Sequence, residues 1–409
     1  MKVRIFFVKI STPSIRKLVC TQMVKHLKNA LSRNEPCFCG SGKRFKRCHG
    51  AYSVNRSDAP IENWHVVPQY VRDAFDQRQI ERAKHYKKGN FQRPPLIEGN
   101  EGNRFIVRGQ HVFHWKGTGT FLNFLEEDLI RELGEAVFTN DAHPLHVWRK
   151  AMRVQAEVRH NQGISGRIIS TVATMNFLTV AHDLFTVADN TDLRERLVKS
   201  LRIADQFHGA RHELLVASCL VRAGFTVEFS DETDSTQRHS DATAAHRRTG
   251  CRYFVEMKAK GRQGILGKAG LRPSPEEMKG DVSRLLRDAL EKPAQGERLI
   301  FIDMNLPPPP PSWAGKGLWW QYDAVSSIHA VEAQPGKVAP NVSAFIVFTN
   351  LPSYQMPMED YYTGLEVAFT GFRKPDFASE TTLLGDRYPD IASLFDAFST
   401  HDLVPDSLW

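Results

Sequence analysis

Two short stretches of this chain, Leu299-Ile-Phe-Ile302 and Phe345-Ile-Val-Phe348, contain no polar side chain. A strand with one face in water alternates apolar and polar residues. A strand that is apolar throughout needs cover on both faces. Arg298 to Met304 and Ala344 to Thr349 are therefore expected as central strands of a sheet with helices on either side. Phe225 to Phe229, Asp241 to Ala245 and Cys251 to Ala259 read as further strands. Ser274-Pro275-Glu276-Glu277 places Ser at an N-cap, Pro at N1 and Glu at N3, which starts a helix expected to run to about Lys292. Prolines 307–311 form a stiff extended connector. Residues 196–370 thus read as an α/β unit built on a mixed sheet.

The chain has 409 residues, too many for one compact core. Residues 56–195 read as a mostly helical region. Within it Arg104 to Trp115 alternates like a hairpin around Arg108-Gly109, and a helical pattern runs from about Pro68 to Tyr86. Residues 120–135 and 144–223 are helical in pattern, and 371–409 form a C-terminal extension. Residues 1–55 stand apart by charge: the first fifty hold twelve Lys or Arg against one acid, Glu35, while the rest of the chain holds 42 basic and 45 acidic residues. A basic end of this kind suits nucleic acid, ribosomal RNA or an acidic protein. Ser14 to Leu31 has apolar residues at helical spacing. No apolar run approaches the roughly 18 residues of a membrane-spanning helix, and Ile5 to Val8 is too short for the apolar core of a secretory signal. A cytoplasmic protein without membrane contact is the expectation.

Of the six cysteines, three fall close together in Asn34-Glu-Pro-Cys37-Phe-Cys39-Gly-Ser-Gly-Lys-Arg-Phe-Lys-Arg-Cys48-His49-Gly. Cys37, Cys39, Cys48 and His49 supply four soft or borderline ligands suited to tetrahedral zinc, and Gly40 and Gly42 permit the reversal that joins the two pairs. With four protein ligands, a structural site is complete and leaves no open position for catalysis. The segment resembles the SEC-C motif, the zinc-binding tail of the preprotein-translocase ATPase that recurs in unrelated bacterial proteins. The resemblance implies a docking module for a protein or ribosomal partner. Cys20, Cys219 and Cys251 lie in apolar patterns and are expected as buried reduced thiols.

A second constellation comprises Glu213 in His-Glu-Leu-Leu-Val-Ala, Asp241 in His-Ser-Asp-Ala, and Glu256 with Lys258 in Val-Glu-Met-Lys. Alternation along a strand puts Glu256 and Lys258 on one face, with Val255 and Met257 on the other. A turn centred on Arg248-Thr249 places Asp241 opposite Glu256, with Cβ atoms roughly 5 Å apart. A slip of two residues would put Asp241 opposite Lys258 instead. In the first register the facing carboxylates repel, and a cation between them relieves that cost. On its helix, Arg211, Ser218 and Arg222 mark a polar face. Glu213 lies about 200° from Arg211, among Gly209, Ala210, Val216, Ala217 and Leu220. A carboxylate on an apolar face needs a partner, either a basic side chain or a metal.

These residues resemble the PD-(D/E)xK, restriction-endonuclease-like nucleases, in which a helix carries Glu, a strand carries Asp and its hairpin partner ends in Glu-x-Lys. Asp241, Glu256 and Lys258 match the motif, and Glu213 matches the helical acid. Ser240 stands where the motif has proline. The resemblance implies an α+β or α/β fold with a restriction-endonuclease-like mixed β-sheet core flanked by helices. It implies Mg2+ held by Asp241 and Glu256, hard oxygen ligands suited to that ion. Lys258 would position or activate water, and Glu213 would bind a second metal or orient the nucleophile. Lys260, Arg262, Lys268 and Arg272 alternate with glycines after the strand, as a flexible basic loop for phosphate contact.

Taken together, these features point to a divalent-metal-dependent endonuclease, acting on DNA in preference to RNA, with a zinc knuckle for docking. A non-catalytic interaction protein on a nuclease-like fold is the alternative, and a small-molecule hydrolase on another α/β scaffold is a third class. His111 and His114, three apart in a strand pattern, face opposite sides and read as structural. The Trp319-Trp320 pair reads as packing, and Gly117-Thr-Gly119 is too short for a phosphate loop.

The knuckle generates a direct expectation, because zinc-thiolate sites couple metal to local folding. A thiol-modifying reagent should release one equivalent of zinc, Cys37→Ser should abolish that release, and the rest of the chain should keep its melting temperature. Protein purified without chelator and free of zinc would overturn the assignment.

Overall fold

The computed structural model describes strands at 6–8, 96–98, 103–108 and 111–116, then residues 121–161, 170–190, 195–230, 240–294, 296–309, 318–334, 336–373 and 384–404. The proposed zinc ligands and the helical patterns at Ser14–Leu31 and Pro68–Tyr86 lie outside the described residues. The elements open with β1 (Phe6–Val8), β2 (Leu96–Glu98), β3 (Asn103–Arg108) and β4 (His111–Lys116). Helices α1 (Phe121–Leu133), α2 (Pro144–Asn161), α3 (Val172–Asn190), α4 (Glu195–Leu201) and α5 (Ala204–Ala223) follow. Then come β5 (Phe225–Phe229), β6 (Ala242–His246), β7 (Arg252–Ala259), α6 (Ser283–Leu290), β8 (Glu297–Asp303) and α7 (Gln321–Glu332). The chain closes with β9 (Ala344–Asn350), β10 (Glu366–Phe372), α8 (Leu384–Arg387) and α9 (Pro389–Ser399).

The main sheet has the order β1-β10-β9-β8-β7-β6-β5. Strands β5, β6 and β7 run antiparallel in succession, and β7, β8 and β9 are parallel. Every residue of β9 is buried, as its unbroken apolar run requires. On one face Val255, Met257, Leu299, Phe301 and Val347 pack against Leu215, Val216, Cys219 and Leu220 of α5 and Ile391, Leu394 and Phe398 of α9. On the other, Ile300, Ile302, Ile346 and Phe348 pack against Leu286, Ala289 and Leu290 of α6 and Ala324 and Ile328 of α7. Residues 371–409, set apart above as an extension, thus contribute α9 to this core. Within 56–195, β3 and β4 form the expected hairpin, paired antiparallel from Asn103↔Lys116 to Arg108↔His111. Among the described residues no helix is long and apolar enough to cross a membrane.

Helix α5 serves two cores. Phe207, Ala210, Leu214 and Ala217 join a helical core with α1 to α4, while its sheet-facing residues fill the interior described above. The polar face expected at Arg211, Ser218 and Arg222 is therefore not solvated. Arg211 is 1% exposed and Ser218 fully buried, because α3 covers that side and supplies Asp183, 2.8 Å from Arg211 Nη1. Arg222 Nη2 donates to the Thr400 carbonyl at 2.9 Å. Cys219 is buried as expected, but Cys251 is exposed; it follows directly on the 247–250 turn, before β7 enters the core. The helix expected from Ser274 closes its capping box with Glu277 but lasts only through the short 3-10 turn Pro275–Glu277. Met278 leaves helical geometry for extended backbone, the Gly280 N–H is given to Asp323 at 2.9 Å, and α6 begins afresh at Ser283.

Asp183 also meets His401 Nε2 at 2.9 Å. His401 Nδ1 lies 3.4 Å from Asp402, which accepts from Tyr362 Oη at 2.9 Å. Burial raises Asp183, but His401 and Arg211 outweigh it and hold the carboxyl down at about 2. Burial lowers His401, and Asp183 outweighs that, so its pKa lies above the ordinary value. His401 therefore stabilises the fold fully below about pH 6.5 and loses that contribution as pH rises through its raised folded pKa. Asp183 acts at the acid end, contributing fully above about pH 3.9 and losing it as pH falls toward 2. Two measurements check the network. Arg211→Met, which takes one ion-pair partner from the buried Asp183 and leaves it His401, should lower stability by about 3–5 kcal/mol. Wild type should melt higher at pH 6 than at pH 9, and His401→Gln should flatten that difference; an unchanged slope would remove His401 from the network.

Candidate functional site

The β6–β7 ladder pairs Ala242 with Val255, which is the unslipped register of the two considered for this hairpin. Asp241 sits one step beyond, its N–H donating to the Val255 carbonyl at 3.0 Å. Its Oδ2 accepts from the Met257 N–H at 2.7 Å and from Lys258 Nζ at 3.1 Å. Glu256 and Lys258 share the α6 face of the sheet, opposite Ile300 and Ile302 of β8. Lys258 Nζ lies 3.0 Å from Glu256 Oε2. Asp241, Glu256 and Lys258 therefore converge on one spot.

A residue that sequence reasoning missed completes the cluster. Lys292 Nζ donates to Asp241 Oδ1 at 2.7 Å and lies 2.8 Å from Glu256 Oε2. Its carbonyl accepts from Arg298 Nη2 at 2.9 Å, fixing the backbone two residues beyond α6. No motif spacing marks Lys292, because the α6 turn that delivers it is a tertiary contact. Two carboxylates thus face two ammonium groups, which offset the bare repulsion expected between Asp241 and Glu256.

Burial is the largest single influence on each group, but it prevails only at Glu256. For Asp241 it works upward, but Lys258 and Lys292 outweigh it and hold the carboxyl below its ordinary value. For Glu256, only 2% exposed, burial and the Asp241 charge prevail over the lysines and raise it. For Lys258 burial works downward, and Asp241 and Glu256 outweigh it and raise its pKa. Lys258 is consequently a firm ammonium near neutrality: a donor and a positive charge.

Glu213 makes none of the contacts that join Asp241, Glu256, Lys258 and Lys292. It is half-buried on α5, and α5 packs on the Val255 and Met257 face of β7, whereas Glu256 lies on the α6 face. Among the described residues no three His, Cys, Asp or Glu side chains form a group that could hold a metal ion. The resemblance places a helical acid at the site; on α5 itself, Leu215 and Val216 take sheet-facing positions. On that α5 face His208 Nε2 lies 3.1 Å from Asp303 Oδ2. His212 is held at about 4, mainly by burial, and lines a small cavity with His208, Asp303, Thr349 and Tyr354.

The basic loop after β7 is folded on itself. Gly264, Gly267 and Gly270 adopt positive φ values of 68°, 77° and 109°, and Ile265 is buried in the α6–α7 core. Arg262 Nε donates to the Asn305 carbonyl at 2.6 Å and Arg272 Nη2 to the Gln355 carbonyl at 2.7 Å. Lys260 Nζ donates to the Asp281 carbonyl. These three cations tie the loop to its surroundings, so the expected open basic loop is a stapled one. Lys268 is exposed.

Comparison with known proteins bears on the N-terminal end. Residues 33–51 match the SEC-C motif family. Over 30 residues the chain is 57% identical to the protein translocase subunit SecA of Koribacter versatilis (strain Ellin345), which covers 7% of this chain and 3% of that protein. The chain therefore spans a small fraction of this relative's length. No solved structure matches the chain significantly.

Charge balance reverses the stability effect that bare repulsion predicts. Asp241→Asn leaves two ammonium groups facing one carboxylate and should lower the stability of metal-free protein by about 2 kcal/mol, seen as a melting temperature several degrees lower. Lys292→Met in the same background should restore part of the loss, giving a positive coupling in the double-mutant cycle. A single mutant melting at or above wild type would reinstate repulsion.

Proposed function

We propose that this chain is a divalent-metal-dependent hydrolase of nucleic-acid phosphodiester bonds, DNA in preference to RNA, acting through Asp241, Glu256 and Lys258. Its SEC-C segment would bind zinc through Cys37, Cys39, Cys48 and His49 and dock a protein partner. The observation that carries the catalytic reading is the convergence of the two carboxylates and Lys258 at the meeting of β6 and β7. Around them the chain runs helix, three-strand meander, helix and parallel strand, which supports this reading.

The donor set fits Mg2+ on two counts. A single ammonium reaches both carboxylates at 2.7 and 2.8 Å, so one small cation can bridge them. Glu256 Oε1 is buried without a hydrogen-bond partner, leaving a hard oxygen available. A bound ion would polarise the phosphate and a water molecule. Asp241 is oriented for this by the Met257 N–H and stays ionised. Lys258, as an ammonium, donates to a phosphate oxygen or the attacking water and offsets the charge that develops in the transition state. Exposed Lys268 is the loop cation best placed for backbone phosphate contact.

A second reading has its own observation. With Lys292 present the four charges cancel, which suits a purely structural ion cluster in a non-catalytic interaction protein. Cleavage separates the two. Wild type should nick supercoiled plasmid in Mg2+, and Asp241→Asn or Glu256→Gln should reduce the rate by about a hundredfold or more. Lys258→Ala should retain metal-induced stabilisation and lose most turnover. Equal nicking by wild type and Glu256→Gln would end the nuclease reading; cleavage of single-stranded RNA alone would reverse the substrate preference.

A further inference from the structure

Lys292 lies outside the Glu-x-Lys pair and reaches the site from a different element, yet it makes shorter contacts to both carboxylates than Lys258 does. We propose that Lys292 is a built-in competitor for the metal: its ammonium holds the position between Asp241 and Glu256 that a divalent cation takes, and loading requires it to leave. The proposal rests on the nuclease reading for the identity of the ion, and on the geometry of four side chains for the competition.

The electrostatics demand departure. The resting cluster is neutral, with two carboxylates and two ammonium groups. A divalent ion added to it would lie within contact distance of Lys292 in a largely buried site, where like charges are poorly screened. With Lys292 withdrawn, the ion faces two carboxylates and the single ammonium of Lys258. The withdrawal needs little rearrangement. The Lys292 carbonyl is held by Arg298, so the backbone can remain in place while the flexible side chain swings. About a fifth of that side chain is exposed, which gives the ammonium a path to water. Without a metal, the same ammonium keeps two adjacent carboxylates from repelling, so Lys292 preserves the shape of the site at the expense of metal affinity.

The measurement is calorimetric titration of the full chain with Mn2+ for wild type, Lys292→Met, Lys292→Gln and Lys292→Arg. Asp241→Asn serves as the blank that subtracts ions bound elsewhere, including at the cysteine segment. Lys292→Met and Lys292→Gln should bind Mn2+ at least tenfold more tightly than wild type, and Lys292→Arg should not. Metal-free Lys292→Met should melt below wild type, and saturating Mn2+ should raise its melting temperature more than that of wild type. Lys292→Gln keeps a hydrogen-bond donor and serves if the methionine variant does not fold. Wild-type or weaker Mn2+ affinity in the foldable neutral variant overturns the proposal. If affinity rises as expected but neither wild type nor variant cleaves nucleic acid, the competition stands and the nuclease reading falls. If Glu256-dependent cleavage is present while affinity is unchanged, the reverse holds. Absence of Asp241-dependent binding in every protein overturns both.

Discussion

Helix α5 is buried between a helical core on one side and the main sheet on the other, and much of the architecture follows from that burial. A helix enclosed in this way has no solvated stripe on which to place polar groups. Each polar residue it carries must find a partner inside. Arg211 finds Asp183 on α3, and through it the C-terminal segment bearing His401 and Asp402. His208 finds Asp303 at the end of β8. These bonds tie the helical region, the sheet and the last helix together, so that the two cores share one rigid element.

The same burial decides what can reach the carboxylate cluster. With α5 occupying the Val255 and Met257 face, the opposite face of β7 is left to α6 and the turn beyond it. That turn brings Lys292. The ammonium group arrives at Asp241 and Glu256 for the same reason that α6 is amphipathic: Leu286, Ala289 and Leu290 anchor it on Ile300 and Ile302. The electrostatic character of the cluster is thereby set by packing. Two acids on adjacent strands repel in isolation; the fold turns them into half of a balanced quartet.

The loop after β7 shows how composition can mislead about availability. Basic residues interspersed with glycines suggest mobile cations. Here the glycines supply left-handed backbone for tight reversals, and the guanidinium groups of Arg262 and Arg272 satisfy backbone carbonyls. Hydrogen bonds to a charged donor are among the stronger ones, so these side chains shape the loop before they can meet any ligand.

Local pattern by itself marked the meander β5 to β7, the central strands β8 and β9 and the face shared by Glu256 and Lys258. It left two hairpin registers, between which the tertiary structure chose. Side-chain alternation and an unbroken apolar run are properties of consecutive residues, and they need no partner to be read. The SEC-C resemblance was equally legible, since its ligands lie within one short segment. What only the tertiary structure decided was charge and company: the burial of Arg211, the exposure of Cys251 and the arrival of Lys292. Each depends on which helix covers which face, and coverage is a contact between residues far apart in the chain. Coulomb energy depends on distance in space, so the charge state of the site could not be read from its order along the sequence.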